Sequence, residues 1–209
     1  MKTYIFLLPL ICLGLGCATP YYVGVNGYSS SGQNLQIPQE TSIHVVADSN
    51  ATNPILEKEI GMKIQKLLKE KGYRIDSDEA DYYLLFDYAM SHGQSVTNAY
   101  PIYHAGVYYN YPYSYGYSHD YTTYIPYSTV VYTRWLELRL IDSKAYKANQ
   151  KARPLWIGEA TSAGRSSDLR GLINYLLIAA LEHFGQDTGK RVNVLFVEDD
   201  ERLKLFMER

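Results

Sequence analysis

Leu136-Glu137-Leu138-Arg139-Leu140-Ile141-Asp142 is followed, after a polar stretch, by Leu155-Trp156-Ile157-Gly158-Glu159-Ala160. In the first segment Leu136, Leu138 and Leu140 point to one side of an extended chain, and Glu137 and Arg139 to the other. That period of two marks a half-buried strand, here spanning residues 129–142. Residues 155–163 read as its partner, and the polar residues 144–153 as the connection. Strands joined by so short a link run antiparallel.

The elements on either side fit around this hairpin. Residues 43–47 form a short apolar strand. Asn53 can cap a helix whose first position is Pro54, where the missing N–H costs nothing. Leu56, Ile60, Ile64, Leu67 and Leu68 make its apolar stripe, Glu59 and Lys63 pair across one turn, and Gly72 ends it. Residues 73–75 and 81–90 are further strands. Ser166 or Ser167 caps a second helix, apolar nearly all round from Tyr175 to Leu181, that ends at Gly185. Residues 192–197 are a last strand, before a charged tail that can frame a short helix through Leu203, Leu205 and Phe206. The expected architecture is α+β: a mainly antiparallel sheet with two helices packed on one face, plus a Tyr-rich loop or hairpin insertion.

The insertion covers residues 91–128. Between Asp87 and Arg134 the only charged residue is Asp120, and residues 100–132 hold 12 of the 22 tyrosines. Tyr111, Tyr113, Tyr115 and Tyr117 alternate and would share one face of an extended chain. Pro101, Pro112 and Pro126 argue against a central strand. Tyrosine combines a flat apolar ring with a hydroxyl, which suits recognition of glycan or protein, so these four are the candidate ligand-binding residues. A low-complexity loop without a ligand is the competing reading.

The N-terminus reads as an address. Lys2 precedes an apolar run, residues 4–15, too short for a comfortable membrane span. The run closes on Leu13-Gly14-Leu15-Gly16-Cys17, similar to a bacterial lipobox. Residues 1–16 are then a signal peptide and Cys17 the site of acylation (palmitate). Residues 17–40, rich in Gly and Ser, form a flexible tether, and 41–209 a single domain. The alternative is an ordinary cleaved signal with Cys17 incidental. Ala18, where Asp would favour inner-membrane retention, points to the outer membrane.

The chemistry of the remaining residues is sparse. The chain has 20 basic and 22 acidic residues, a net charge of −2, which excludes a broadly basic nucleic-acid binder. Both cysteines, Cys12 and Cys17, precede the body, so no disulfide framework, thiolate zinc site or thiol nucleophile is expected in it. No phosphate-binding loop, dinucleotide fingerprint or nucleophile elbow occurs. His44, His92, His104, His119 and His183 show no ligand spacing, and no two carboxylates stand out as acid and base. No metal, cofactor or catalytic residue is assigned.

The lipobox, the helix ending in Lys71-Gly72-Tyr73, the strand Ala80-Asp81-Tyr82-Tyr83-Leu84-Leu85-Phe86, the low-complexity insert and the hairpin with Trp156-Ile157-Gly158-Glu159-Ala160 together resemble the bacterial lipoproteins grouped as domain of unknown function family 4136. The resemblance covers residues 42–185. It implies an envelope-anchored α+β domain with no established activity and no catalytic residues. The expected function is that of a non-enzymatic, lipid-anchored cell-envelope protein, in the outer membrane, with a binding or structural role and with the Tyr-rich insert as its contact to envelope glycan or protein. An enzyme acting on envelope polymer and an accessory subunit of an export assembly are the alternatives.

Overall fold

The computed structural model describes residues 20–77, 79–104, 121–197 and 199–207. Its strands are β1 (Tyr21–Ser29), β2 (Ser42–Val46), β3 (Arg74–Ile75), β4 (Tyr82–Met90), β5 (Gln94–His104), β6 (Tyr121–Asp142), β7 (Trp156–Gly164) and β8 (Val192–Phe196). The helices are α1 (Pro54–Glu70), α2 (Ser143–Ala148), α3 (Leu169–Glu182) and α4 (Glu201–Met207). The order across the sheet is β3-β2-β4-β6-β7-β1-β8, with β5 paired to β6 alone.

Two expectations are corrected. The sheet is mixed rather than mainly antiparallel, and four helices rather than two are present among the described residues. β2 pairs in parallel with both β3 and β4. The cause is α1, a 17-residue crossover that carries the chain back along the sheet, so that the strands after it run the same way as β2. α2 occupies the expected polar connection, where the Asp142 side chain accepts from the Ala145 N–H at 2.9 Å and starts a short helix.

A third correction concerns the expected tether. Its residues Tyr21–Ser29 form β1, which lies between β7 and β8. Val23 and Val25 are fully buried. Gly27 is a position of close approach: a Cβ there would stand 2.2 Å from the Gln186 carbonyl oxygen, whereas Gly32 lies in open space.

The two longer helices share one face of the sheet. α3 packs on β7, β1 and β6, with α1 beside it. Leu136, Leu138 and Leu140 join Ile60, Ile64, Leu176 and Ala180 in one buried cluster. The Asn53 side chain caps α1, accepting from the Leu56 N–H at 3.1 Å. α3 is capped by Asp168, one or two residues later than the expected serines, accepting from the Gly171 N–H at 3.1 Å. Glu59 on α1 bridges Lys63 and, across to α3, Arg170, each at 2.8 Å.

Trp156 and Gly158 explain the hairpin motif. The indole is 1% exposed, lies across Gly158 and donates its Nε1–H to the Gln186 carbonyl at 2.9 Å. A Cβ on Gly158 would come within 2.2 Å of the ring. Asp81 fastens the parallel strands at their start. Its carboxylate accepts from the Ser42 N–H at 2.9 Å and the Ser42 hydroxyl at 2.8 Å, while its own N–H donates to the Ser42 carbonyl at 2.9 Å. Its carbonyl accepts from the Ser143 N–H at 3.0 Å, tying in the end of β6.

Leu138→Ala should cost ~2–5 kcal/mol, the range for truncating a buried leucine, and Gly158→Ala ~1–3 kcal/mol through overpacking. Urea melts measure both. The Ser42 N–H and hydroxyl hold the Asp81 carboxyl below the ordinary carboxylate range. Its folded pKa is depressed, so its contribution is present above about pH 4 and lost as pH falls through the folded value. Asp81→Ala should lower stability at neutral pH by about 1 kcal/mol and flatten the acid limb of the stability profile.

Candidate functional site

β6 is 22 residues long, and only its second half belongs to the sheet core. Residues 121–131 leave the body and pair with β5 in an eleven-pair antiparallel ribbon. Between the loop and the hairpin anticipated for the insertion, the described residues form a hairpin stem. The change of partner is made by a one-residue bulge. Met90 pairs with Arg134 and the Ser91 N–H reaches the Thr133 carbonyl, but Gln94 pairs with Val131, so His92 and Gly93 together oppose Tyr132. Such an insertion twists and bends the strand that carries it.

The ribbon is uncharged over its described length. On one face stand Val96, Tyr100, Ile102, Tyr121, Ile125 and Tyr127. Tyr100 is opposite Ile125, and the rings of His104 and Tyr121 stack at 4.5 Å. The other face is richer in Ser, Thr and Pro, with Thr97 and Ser128 hydroxyls 3.1 Å apart, although Tyr103 and Tyr124 also stand there. Tyr100 is 66% exposed and Ile125 49%. Pro101 pairs with Tyr124 and Pro126 with Ala99, two steps apart in register, so both fall in the same class of pair. A proline nitrogen cannot donate to the facing strand, and there it turns to an open edge. Each edge is therefore blunted against a further strand.

At the root of the ribbon lies Arg134, fully buried. It donates to the carbonyls of Gly164 and Ser166, at the turn that leads into α3. Its Nε and Nη1 have no hydrogen-bond partner among the described residues. Buried cations normally have an acid for a partner. This one is held by backbone dipoles and marks where the core ends.

Of the residues singled out in the sequence, Cys17, Tyr111, Tyr113, Tyr115 and Tyr117 lie outside the described residues, as do His119 and Asp120. His104 is brought to the end of the ribbon beside Tyr121. His44 meets Tyr83 edge-on at 5.3 Å on the sheet face away from α1 and α3, and His183 bonds Gln186 through Nδ1 at 2.9 Å. Among the described residues no three His, Cys, Asp or Glu groups converge as a metal would require.

One polar site was missed by sequence reasoning. Glu57, in the first turn of α1, is 4% exposed and accepts from the Asp48 N–H at 2.8 Å. Burial, together with the hydrogen bond to Glu57 and its charge, pushes the Tyr88 phenol up to about 12. The two border an open cleft of ≈ 300 Å³ with Asn53, Leu56 and Asp87. The signal in the sequence is a carboxylate on the buried stripe, at Glu57, Ile60 and Ile64. At neutral pH the tyrosine remains a protonated donor to Glu57. The pair braces the β2–α1 connection, and the other carboxylates lining this cleft, Asp48 and Asp87, are engaged by the Asn50 N–H and by Arg139.

Solved structures similar to this chain include a point variant of PelC, a dodecamer from Paraburkholderia phytofirmans, at 16% identity and a TM-score of 0.41, covering 76% of this chain and 94% of that one. The PelC dodecamer from the same organism in another crystal form gives 15% identity and 0.40, with 76% and 95% covered. A PDZ domain protein from Parabacteroides distasonis gives 16% and 0.43; the match covers 85% of this chain and 39% of that one. No curated protein matches the sequence. The family expected from the lipobox, strands and hairpin is matched over residues 22–184, and the chain belongs to the domain of unknown function family DUF4136.

Proposed function

We propose that this protein is a lipid-anchored component of the bacterial cell envelope, held through Cys17 in the outer membrane, that binds rather than catalyses and uses the β5–β6 ribbon as its contact surface. The observation that carries the reading is the ribbon itself: eleven residue pairs without a charge, projecting aromatic and aliphatic side chains into solvent. Isolated exposed apolar residues need no explanation, but a contiguous set marks an interaction surface. Tyrosine adds a hydroxyl to each ring, which suits a contact that is part apolar and part wet. The anchor is supported by the Gly16-Cys17 junction after a short apolar run and by the lack of cysteine in residues 18–209.

Cys17→Ser should move the protein from the membrane pellet to the soluble envelope fraction; equal retention in the pellet would sink the anchor. Replacing residues 94–131 by a short Gly/Ser bridge from Gly93 to Tyr132 should leave the body folded, because loop-closure entropy changes by only ~0.6 kcal/mol per doubling of length. A deletion variant that loses its near-ultraviolet circular dichroism would show instead that the ribbon is part of the core.

A further inference from the structure

We infer that the surface the ribbon contacts is the lipid bilayer itself, with its aromatic face lying among the headgroups and upper acyl chains. This rests on the anchored reading above and names the partner of the same surface. The argument is one of direction and length. β1 and β6 both pair antiparallel with β7, so they run the same way and enter the sheet from the same end. Gly24 pairs with Thr161, which puts Tyr21 level with Gly164, and Gly164 pairs with Tyr132, where the ribbon begins. The Tyr21 hydroxyl, 2.6 Å from the Ser162 hydroxyl, fixes that placement. The chain from Cys17 therefore joins the body at the end from which the ribbon projects. Four residue steps separate Cys17 from Tyr21, a reach of at most ~14 Å in any conformation. Eleven residues of strand extend ~36 Å. A ribbon more than twice as long as the link to the anchor, leaving from the same end, is kept within reach of the bilayer.

Its chemistry fits that environment. The described residues of the ribbon carry no charge to desolvate, and Tyr residues with Ile and Val on one face match the side chains that settle at membrane interfaces. The prolines at both edges make strand addition from another protein the less suitable mode. They also leave each edge unable to satisfy a neighbouring strand throughout, which suits the wet interface and not a closed barrel in the hydrocarbon. On β6 the alternation continues unbroken from Tyr127 through Val131 to Trp135, so the aromatic face of the ribbon follows the sheet face that carries no long helix. That face becomes charged within the body, at Arg191 beside Thr161 and then at Glu137, Arg139, Asp87 and Glu159.

The test uses residues 17–209 with Cys17→Ser, which contain every described element and no acyl chain, mixed with vesicles of phosphatidylethanolamine and phosphatidylglycerol. The protein should co-float with the vesicles, to the same extent at low salt and at about 0.5 M salt, since an uncharged contact is not screened. Tyr100→Ser, Ile125→Ser and Tyr127→Ser combined should lower the partition coefficient by about tenfold or more with circular dichroism unchanged. Should that variant unfold, Tyr127→Trp serves in its place. Its fluorescence should be quenched by vesicles with brominated acyl chains, whereas Trp156 is buried and the parent supplies the baseline for Trp135. The inference is overturned if the parent stays with the unbound protein, if the triple variant floats equally, if Y127W is not quenched beyond the parent, or if the parent binds peptidoglycan but not vesicles. Flotation of the acylated protein alone would leave the anchor standing and remove the ribbon from the membrane.

Discussion

The continuity of β6 is the constraint on which the rest depends. One strand serves two environments: between β4 and β7 its even positions Leu136, Leu138 and Leu140 are the floor of the core, while beyond Tyr132 it has only β5 beside it. A strand cannot change face without a bulge, and the bulge is on the partner, at His92 and Gly93. β6 therefore carries its alternation straight from the body into the ribbon. The buried Arg134 sits at the crossing point. Its guanidinium holds the turn into α3, so the helix that covers the sheet begins where the ribbon departs.

Local pattern made much of the body legible. The leucine alternation in residues 136–140 and the Asn53-Pro54 cap each describe short-range physics, and each stands in the structure in the role the sequence suggested. The parallel direction of β2, β3 and β4 was not legible in the same way. It follows from how a long helix returns the chain to a sheet, a non-local property that the alternation of no single strand records. β1 was hidden for another reason. Gly27 looks like a linker residue, and only the closeness of the Gln186 carbonyl shows that it is there for want of a Cβ. Composition alone cannot separate a glycine that frees the chain from one that lets two segments touch.

The ribbon was legible in composition and not in geometry. The four tyrosines chosen from their spacing lie outside the described residues; among the described ones an apolar face is formed by Val96, Tyr100, Ile102, Ile125 and Tyr127, drawn from two strands. Cross-strand register creates that face, so no window on either strand contains it. Glu57 was missed because a helix stripe is judged by its apolar members. A carboxylate on the stripe is buried only because the Asp48 N–H and Tyr88 are there to meet it.

An uncharged, tyrosine-rich ribbon with two free edges is a hazard in water, since unpaired strands invite further strands. The sequence handles this without the lysines that usually protect an edge. Pro101 and Pro126 each remove an outward donor, and their shared pairing class keeps the hydrogen bonds within the ribbon intact. Charge would have protected the edges equally well, but at the cost of desolvating it on any apolar contact. Proline protects the edge and leaves the face apolar. Proline in place of lysine thus closes the backbone edges and leaves the side chains of the face as the ribbon's accessible surface.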